Sequence, residues 1–151
     1  MKIKIEMDSV QGILKRLGLT RDGDVQQYWT ALVNRRIGKY MPYRSGALSG
    51  KLKFIASPVS ITVAAPYAKY QYFGVAMVDS QTGKGPRLIP GVGYRFRKGA
   101  ILMPTSRPLE YDKTKHPEAT SRWDEALKSR EHEEMLSDMK AYIRVRKGIN
   151  V

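Results

Sequence analysis

The chain has 151 residues, with 27 Lys and Arg against 14 Asp and Glu, a formal net charge of +13, and no cysteine. This length predicts a single domain over residues 1–151, because one hydrophobic core usually serves about 100 to 200 residues. The lack of cysteine excludes disulfides, thiolate nucleophiles and sulfur-ligated zinc sites. The charge excess attracts polyanions, so nucleic acid is one natural partner, although many basic proteins bind none specifically.

The amino-terminal segment alternates charged and aliphatic residues over positions 1–7, which predicts a short strand. It lacks the continuous apolar stretch of a secretory signal. No apolar run in the chain approaches the roughly 20 residues needed to span a bilayer. We therefore expect a protein made and kept in a cytoplasm, with no membrane partner.

Two amphipathic helices are predicted next. Asp8 can cap the first, with Gln11 at the capping-box position, and Gly18 can end it in a left-handed conformation. The second begins at Asp24, with Gln27 three residues later, and stops before Pro42. Apolar residues recur along it at helical spacing, namely Val25, Tyr28, Trp29, Leu32, Val33, Ile37 and Tyr40.

The period of the pattern then switches to two. Between positions 52 and 65, alternating residues flank Ser57-Pro58, which predicts a β-hairpin. A short aromatic helical turn over 66–73 follows and ends at Gly74.

The aromatic turn has two predicted sides. Helical spacing places Tyr67, Tyr70 and Phe73 together, which suits packing against the sheet. Lys69 and Tyr72 then face outward, toward solvent or a neighbouring copy.

A long basic segment separates two further predicted strands, at 75–78 and 100–103. Seven Gly and Pro residues lie between positions 79 and 99. Loops of this length inside a compact domain are usually functional or disordered. We therefore predict a flexible loop at 80–99. Only Asp79, at its start, opposes its five cations, Lys84, Arg87, Arg95, Arg97 and Lys98.

Within this loop, Tyr94-Arg95-Phe96-Arg97-Lys98 interleaves aromatic and basic residues. Such a run can stack on bases while it neutralises phosphates. It also suits a strand in an interface between copies, with Tyr94 and Phe96 buried. We favour the second interpretation, because the chain matches no short signature of single-strand-binding folds.

The last predicted element is a helix over 117–147. Pro117 occupies its first position, Glu118 its first turn, and Gly148 follows its basic end. Apolar residues on one face are Trp123, Ala126, Leu127, Met135, Met139 and Tyr142. Trp123 is interpreted as a core anchor.

Enzyme signatures are not found in this sequence. The two histidines are His116 and His132, and the second lacks the partner His four residues later that a metalloprotease helix needs. The Gly pairs at 83–85 and 91–93 lack the context of a P-loop or a dinucleotide site. A helix-turn-helix built from the first two helices is a minor alternative. We expect no catalytic activity, no cofactor and no metal.

Six segments lie in order within residues 23–127: Gly23-Asp24-Val25-Gln26-Gln27-Tyr28, Met41-Pro42-Tyr43-Arg44-Ser45-Gly46-Ala47-Leu48, Ala65-Pro66-Tyr67-Ala68-Lys69-Tyr70-Gln71-Tyr72-Phe73-Gly74, Met77-Val78-Asp79-Ser80-Gln81-Thr82-Gly83, Pro108-Leu109-Glu110-Tyr111 and His116-Pro117-Glu118-Ala119-Thr120-Ser121-Arg122-Trp123. Together they resemble the minor capsid protein family of siphophages and prophages, which is related in general plan to head-tail connector and tail-completion proteins. The basic loop is richer in Arg and aromatics than this family pattern, so its role rests on physics alone.

The resemblance implies a structural virion protein at the head-tail neck, forming a homo-oligomeric ring through which DNA passes. Its partners would be other copies of itself, the neighbouring portal or adaptor and tail proteins, and genomic DNA bound non-specifically. The five loop cations would line the channel or touch a neighbour, and the packing motif would be Tyr67, Tyr70, Phe73, Gly74 and Trp123. Two alternatives remain, a minor head-shell protein and a basic nucleic-acid-binding accessory protein.

The expected fold class is α+β. A small, mostly antiparallel sheet packs against the second and last helices, and the long basic loop between two strands projects from it.

Overall fold

The computed structural model describes residues 9–65 and 67–150. The predicted strand at 1–7 and the predicted cap Asp8 lie outside these residues. The helices are α1 (Val10–Arg16), α2 (Asp24–Ile37), which a 3-10 turn at Gly38–Tyr40 extends, α3 (Ala68–Phe73) and α4 (Trp123–Lys147). The strands are β1 (Lys53–Ser57), β2 (Ser60–Val63), β3 (Val75–Asp79), β4 (Arg87–Ile89), β5 (Gly93–Arg95) and β6 (Leu102–Pro108).

The α+β prediction is confirmed, with α2 and α4 as the main helices packed against strands. The strands of the described residues pair as β1–β2, β3–β6 and β4–β5, which are three two-stranded antiparallel sheets. The predicted hairpin around Ser57-Pro58 is β1–β2. The two strands predicted around the basic loop also pair, as β3 and β6.

Both amino-terminal helix caps differ from the predictions. The Ser9 hydroxyl accepts the hydrogen bond from the Gly12 amide, at 3.1 Å, and caps α1. Gly23 caps α2, so Asp24 lies in the first turn instead. A Cβ at Gly23 would lie 2.1 Å from the carbonyl oxygen of Gly18, so this close backbone approach needs glycine.

The hydrophobic core lies between α2, α4 and the β1–β2 hairpin. We call these three elements, with the core between them, the body. Its most deeply buried side chains are Leu32, Tyr40 and Met41. Trp123 and Leu127 of α4 belong to the same buried cluster. The predicted core anchor at Trp123 is therefore found in the core.

The aromatic turn matches the prediction only in part. Lys69 is exposed, as predicted, and Tyr70 is half-buried, but the other three side chains differ from the prediction. Tyr67 is 43% exposed and Phe73 is 55% exposed, whereas the Tyr72 ring packs edge-on against Trp123 with centroids 5.1 Å apart. Ala68 is buried, and Tyr72 lies four residues later on the same face of α3, so this face and not that of Tyr67 and Phe73 meets the core. Tyr67 and Phe73 are thus not core residues of the described structure.

Gly74 ends α3 in the predicted left-handed conformation, with φ of 71°. A Cβ there would lie 2.7 Å from the Cβ of Ser121. Glycine therefore permits both the turn and the close approach of the chain that leads into α4.

The last helix begins six residues later than predicted. Pro117 lies in a turn, in which the Ala119 amide donates to the carbonyl of His116 at 3.0 Å. Two of the following amides donate to carbonyls that are distant in sequence. The Thr120 amide donates to the carbonyl of Tyr40 at 3.0 Å, and the Arg122 amide donates to that of Tyr72 at 2.8 Å. These tertiary hydrogen bonds replace the helical ones, so α4 starts only at Trp123.

Candidate functional site

The basic segment between β3 and β6, residues 80–101, forms an arm. It contains the β4–β5 hairpin, so the predicted loop is partly ordered into two short strands. Nothing lies within 4 Å of a Cβ built on any of its five glycines, Gly83, Gly85, Gly91, Gly93 and Gly99. At these five positions the arm has open space beside its backbone, and no part of the body packs there.

The register of the hairpin places two arginines opposite each other. Arg87 pairs with Arg95, and Leu88 pairs with Tyr94. Directly opposite residues share a face of an antiparallel pair, and the next pair points to the other face. One face of the hairpin is therefore cationic and the other is apolar, and both reach solvent: Leu88 is 61% and Tyr94 is 52% exposed.

Asp79, the last residue of β3, holds the base of the arm. Its side chain is almost fully buried and accepts from Arg97 Nη2 at 3.1 Å and from the Gln81 amide at 2.9 Å, besides pairing with Arg97 Nε. The Arg97 side chain, followed by the Gln81 amide, lowers the pKa of this carboxyl below its ordinary value. Arg97 is thus bound inward, and Asp79 keeps its charge.

The other four predicted cations have no such partner. Within residues 9–65 and 67–150, no ion pair involves Lys84, Arg87, Arg95 or Lys98. Arg95 Nη1 donates to the carbonyl of Tyr94 at 2.9 Å, which leaves its other donors open. The structure therefore divides the five predicted site residues into one that stabilises the arm and four that face solvent.

The two aromatic residues of the arm are not buried as a pair. Tyr94 is exposed, and Phe96 is half-buried. An interface that buries Tyr94 would have to be supplied by another molecule.

The body contains a buried carboxylate that the sequence analysis missed. Glu131 is 4% exposed and lies between Leu127 and Met135 on the inner face of α4. It accepts from Arg36 Nη1 at 2.7 Å and from the Tyr40 hydroxyl at 2.5 Å, and it pairs with Lys39. We call these four polar residues the Glu131 cluster.

The charges of the Glu131 cluster shift its pKa values strongly. Burial favours the neutral acid, but hydrogen bonds from Lys39, Tyr40 and Arg36 outweigh it and lower the pKa of Glu131 to about 2. Burial, followed by the hydrogen bond to Glu131, raises the pKa of Tyr40 to about 12. Arg36 also binds Glu134 at 3.1 Å and Asp138 at 2.6 Å. At neutral pH Glu131 is therefore ionised between its cations while Tyr40 keeps its proton, and the cluster joins α2 and its 3-10 extension to α4.

The two histidines lie in different environments. His116 Nδ1 donates to the carbonyl of Met41 at 2.8 Å, and His132 is exposed on α4. In the part of the chain that the structure describes, no three His, Asp or Glu side chains are grouped to hold a metal. The helices of that same part include none with the length and apolar character to cross a membrane.

The arm is therefore the candidate site. Comparisons with protein families, with curated proteins and with solved structures find no match to this chain.

Proposed function

We propose that the protein is a structural component of a tailed-phage particle, which joins head and tail as a homo-oligomeric ring through which DNA passes. The resemblance over residues 23–127 supports this role. So does the arm, which is the single observation that carries the proposal: it extends into solvent and exposes apolar side chains on the face opposite its arginines.

Exposed apolar patches commonly mark protein–protein contacts. Leu88, Val92 and Tyr94 of the arm are each more than half exposed. A closed ring needs heterologous contacts, in which one face of a copy meets a different face of the next. An arm that reaches beyond its own domain can provide one side of such a contact.

The test is electron microscopy of the particles made when this gene is deleted from its phage. We expect filled heads beside free, finished tails, and tailed particles again when the wild-type gene is supplied on a plasmid. A plasmid carrying Leu88→Ser with Tyr94→Ser should restore tailed particles poorly, because the apolar face is lost. Intact tailed particles from the deletion would overturn the proposal.

A basic nucleic-acid-binding accessory protein is the second candidate, which the unpaired cations of the arm favour. Such a protein would be absent from purified particles and present on DNA in infected cells. Mass spectrometry of purified particles separates the two candidates, since a joining protein must remain in the particle. A shell position is distinguished by its place in the reconstructed particle.

A further inference from the structure

We propose that the Arg87–Arg95 pair is the site at which the arm binds phosphate groups of duplex DNA, and that Arg97 is a positioning residue. This deepens the proposed function by naming the contact that the ring would make with the DNA inside it. It assigns different roles to cations of the arm that the sequence alone does not distinguish.

When no ligand is bound, the Arg87–Arg95 pair destabilises the β4–β5 hairpin. Like charges directly opposite each other destabilise a two-stranded sheet. The strands β4 and β5 have only three residues each, and an isolated two-stranded hairpin is marginally stable in water. Neither guanidinium group forms an ion pair with a carboxylate of the described residues. An anion bound between them would remove the repulsion.

Arginine suits this anion for geometric reasons. Its planar guanidinium presents five donors as a fork that matches phosphate oxygens in pairs. Opposite residues of an antiparallel pair have Cα atoms roughly 4.5 to 5.5 Å apart, so both forks start from neighbouring points on one face. Both side chains are exposed. A phosphate can therefore approach the two together.

The distribution of charge favours a polymer of phosphates over an acidic protein surface. Residues 80–109 contain no Asp or Glu, and Lys84 and Lys98 flank the hairpin on its two sides. All charged residues of the arm are thus cations, and duplex DNA carries a uniform negative charge, about one per 1.7 Å of helix axis. An acidic protein surface usually carries some cations as well, and the arm has no carboxylate with which those cations could pair.

The contact is not expected to read sequence. Base recognition in DNA grooves commonly uses Asn or Gln as well as Arg. The arm has one such amide, Gln81, and it accepts from Arg97 Nη2 at 2.5 Å. The exposed arginines then serve phosphates, which carry no sequence information.

Arg97 acts on this site through the base of the arm. Its pairing with the buried Asp79 joins the return path of the arm to the end of β3. Without it the hairpin would keep its phosphate contacts and lose its direction relative to the body. Arg97 therefore contributes order, and it adds no phosphate contact of its own.

The salt dependence of binding tests the pair. The purified full chain is titrated with a labelled 30-base-pair duplex at several KCl concentrations, and log K is plotted against log salt. Arg87→Ser with Arg95→Ser should lower the slope by about 0.9, because the pair holds one phosphate between its two guanidinium groups and each phosphate contact contributes about 0.9. The control is Lys113→Ser with Lys115→Ser, which removes the same charge from exposed positions outside the arm. It should keep the wild-type slope, and circular dichroism should show all variants folded.

Two results would overturn the phosphate site. An unchanged slope in the arginine double variant would redirect the arm to an acidic protein partner, and an equal loss in both double variants would reduce the effect to general charge. A second duplex of different sequence should bind with the same affinity.

The positioning role has its own readout. Arg97→Ser should weaken binding severalfold at low salt and leave the slope unchanged, since no phosphate contact is removed. A slope lowered by about 0.9 would make Arg97 a phosphate contact and refute its positioning role. None of these measurements requires particles, so failure of the salt test leaves the joining role standing. Tailed particles from the gene deletion would end the joining role and leave the phosphate site intact.

Discussion

The body and the arm use the same kind of residue in opposite ways. At the contact between α2 and α4, cations are matched to carboxylates: Arg36 contacts three of them, and Lys147 binds Asp24 at 2.9 Å. On the exposed surface of α4, by contrast, Lys140 and Arg144 form no ion pair with the described residues. In the arm, the described residues pair only Arg97 in this way. The cations that pair with carboxylates join α2 to α4. The cations of the arm that form no ion pair remain available to a ligand. Net charge alone does not reveal this division.

The largest effect is expected where the body is most tightly packed. Trp123→Ala should lower the free energy of unfolding by about 4 kcal/mol, because it removes a buried indole from the contact with Tyr72. The matched change is Phe73→Ala, at a ring that is mostly exposed, and it should cost less than about 1 kcal/mol. Urea unfolding followed by circular dichroism measures both. Similar losses at the two positions would contradict the reorientation of α3.

The Glu131 cluster is expected to be the next most sensitive part of the body. Glu131→Gln should destabilise the fold by about 3 kcal/mol, since it leaves two cations and a buried hydroxyl without their shared carboxylate. Glu133→Gln removes the same charge from an exposed position two residues away and should change stability by less than about 0.5 kcal/mol. Urea midpoints that coincide for the two variants would mean that the cluster contributes nothing net.

The same cluster predicts an acid dependence of stability. The pKa of Glu131 falls from an ordinary value of 4.5 to about 2 in the folded state. A carboxyl with a depressed folded pKa stabilises the protein above its unfolded pKa, and this contribution is lost as pH falls from about 4.5 toward 2. Urea midpoints measured through that window should fall more steeply for the wild type than for Glu131→Gln. Parallel curves would refute the role of this carboxylate.

The smallest effect is expected in the arm, and it is local. Asp79→Asn weakens the contact with Arg97, so the amides of Ser80 and Gly83, which hydrogen-bond near the base of the arm, should exchange roughly tenfold faster with deuterium. The urea midpoint should hardly move, because the core does not include the arm. Asp112→Asn is the control, since this carboxylate accepts from the Thr114 amide in a loop outside the arm. Faster exchange in α2 as well after Asp79→Asn would contradict the separation of arm and body.

Local patterns in the sequence predicted which helices and strands form better than they predicted the ends of these elements and the faces that they bury. The two-residue period found the β1–β2 hairpin, and the helical period found α2 and most of α4. The start of α4 was missed because Thr120 and Arg122 hydrogen-bond to Tyr40 and Tyr72, which are distant in sequence. The face of α3 was missed for a related reason, since it is set by the contact of Tyr72 with Trp123, which is also distant in sequence.

The candidate site was predicted as a set of cations and not as an arrangement. The pairing of Arg87 with Arg95 depends on the register of a hairpin whose strands have three residues each, too short to show a period. Glu131 did leave a signal: the apolar spacing of α4 skips from Leu127 to Met135, and position 131 falls in the gap. A carboxylate inside an apolar stripe indicates a buried partner, which here comes from α2.

The openness of the arm has a consequence for how the chain tolerates being cut. Trypsin should cleave first after the exposed cations of the hairpin, where the backbone has open space around it. The cut would leave α2 on one fragment and α4 on the other, although these two helices share the core. We expect the nicked protein to migrate as one folded species until denaturant separates its halves. Two separately expressed fragments divided within the arm should likewise reassemble into the native body.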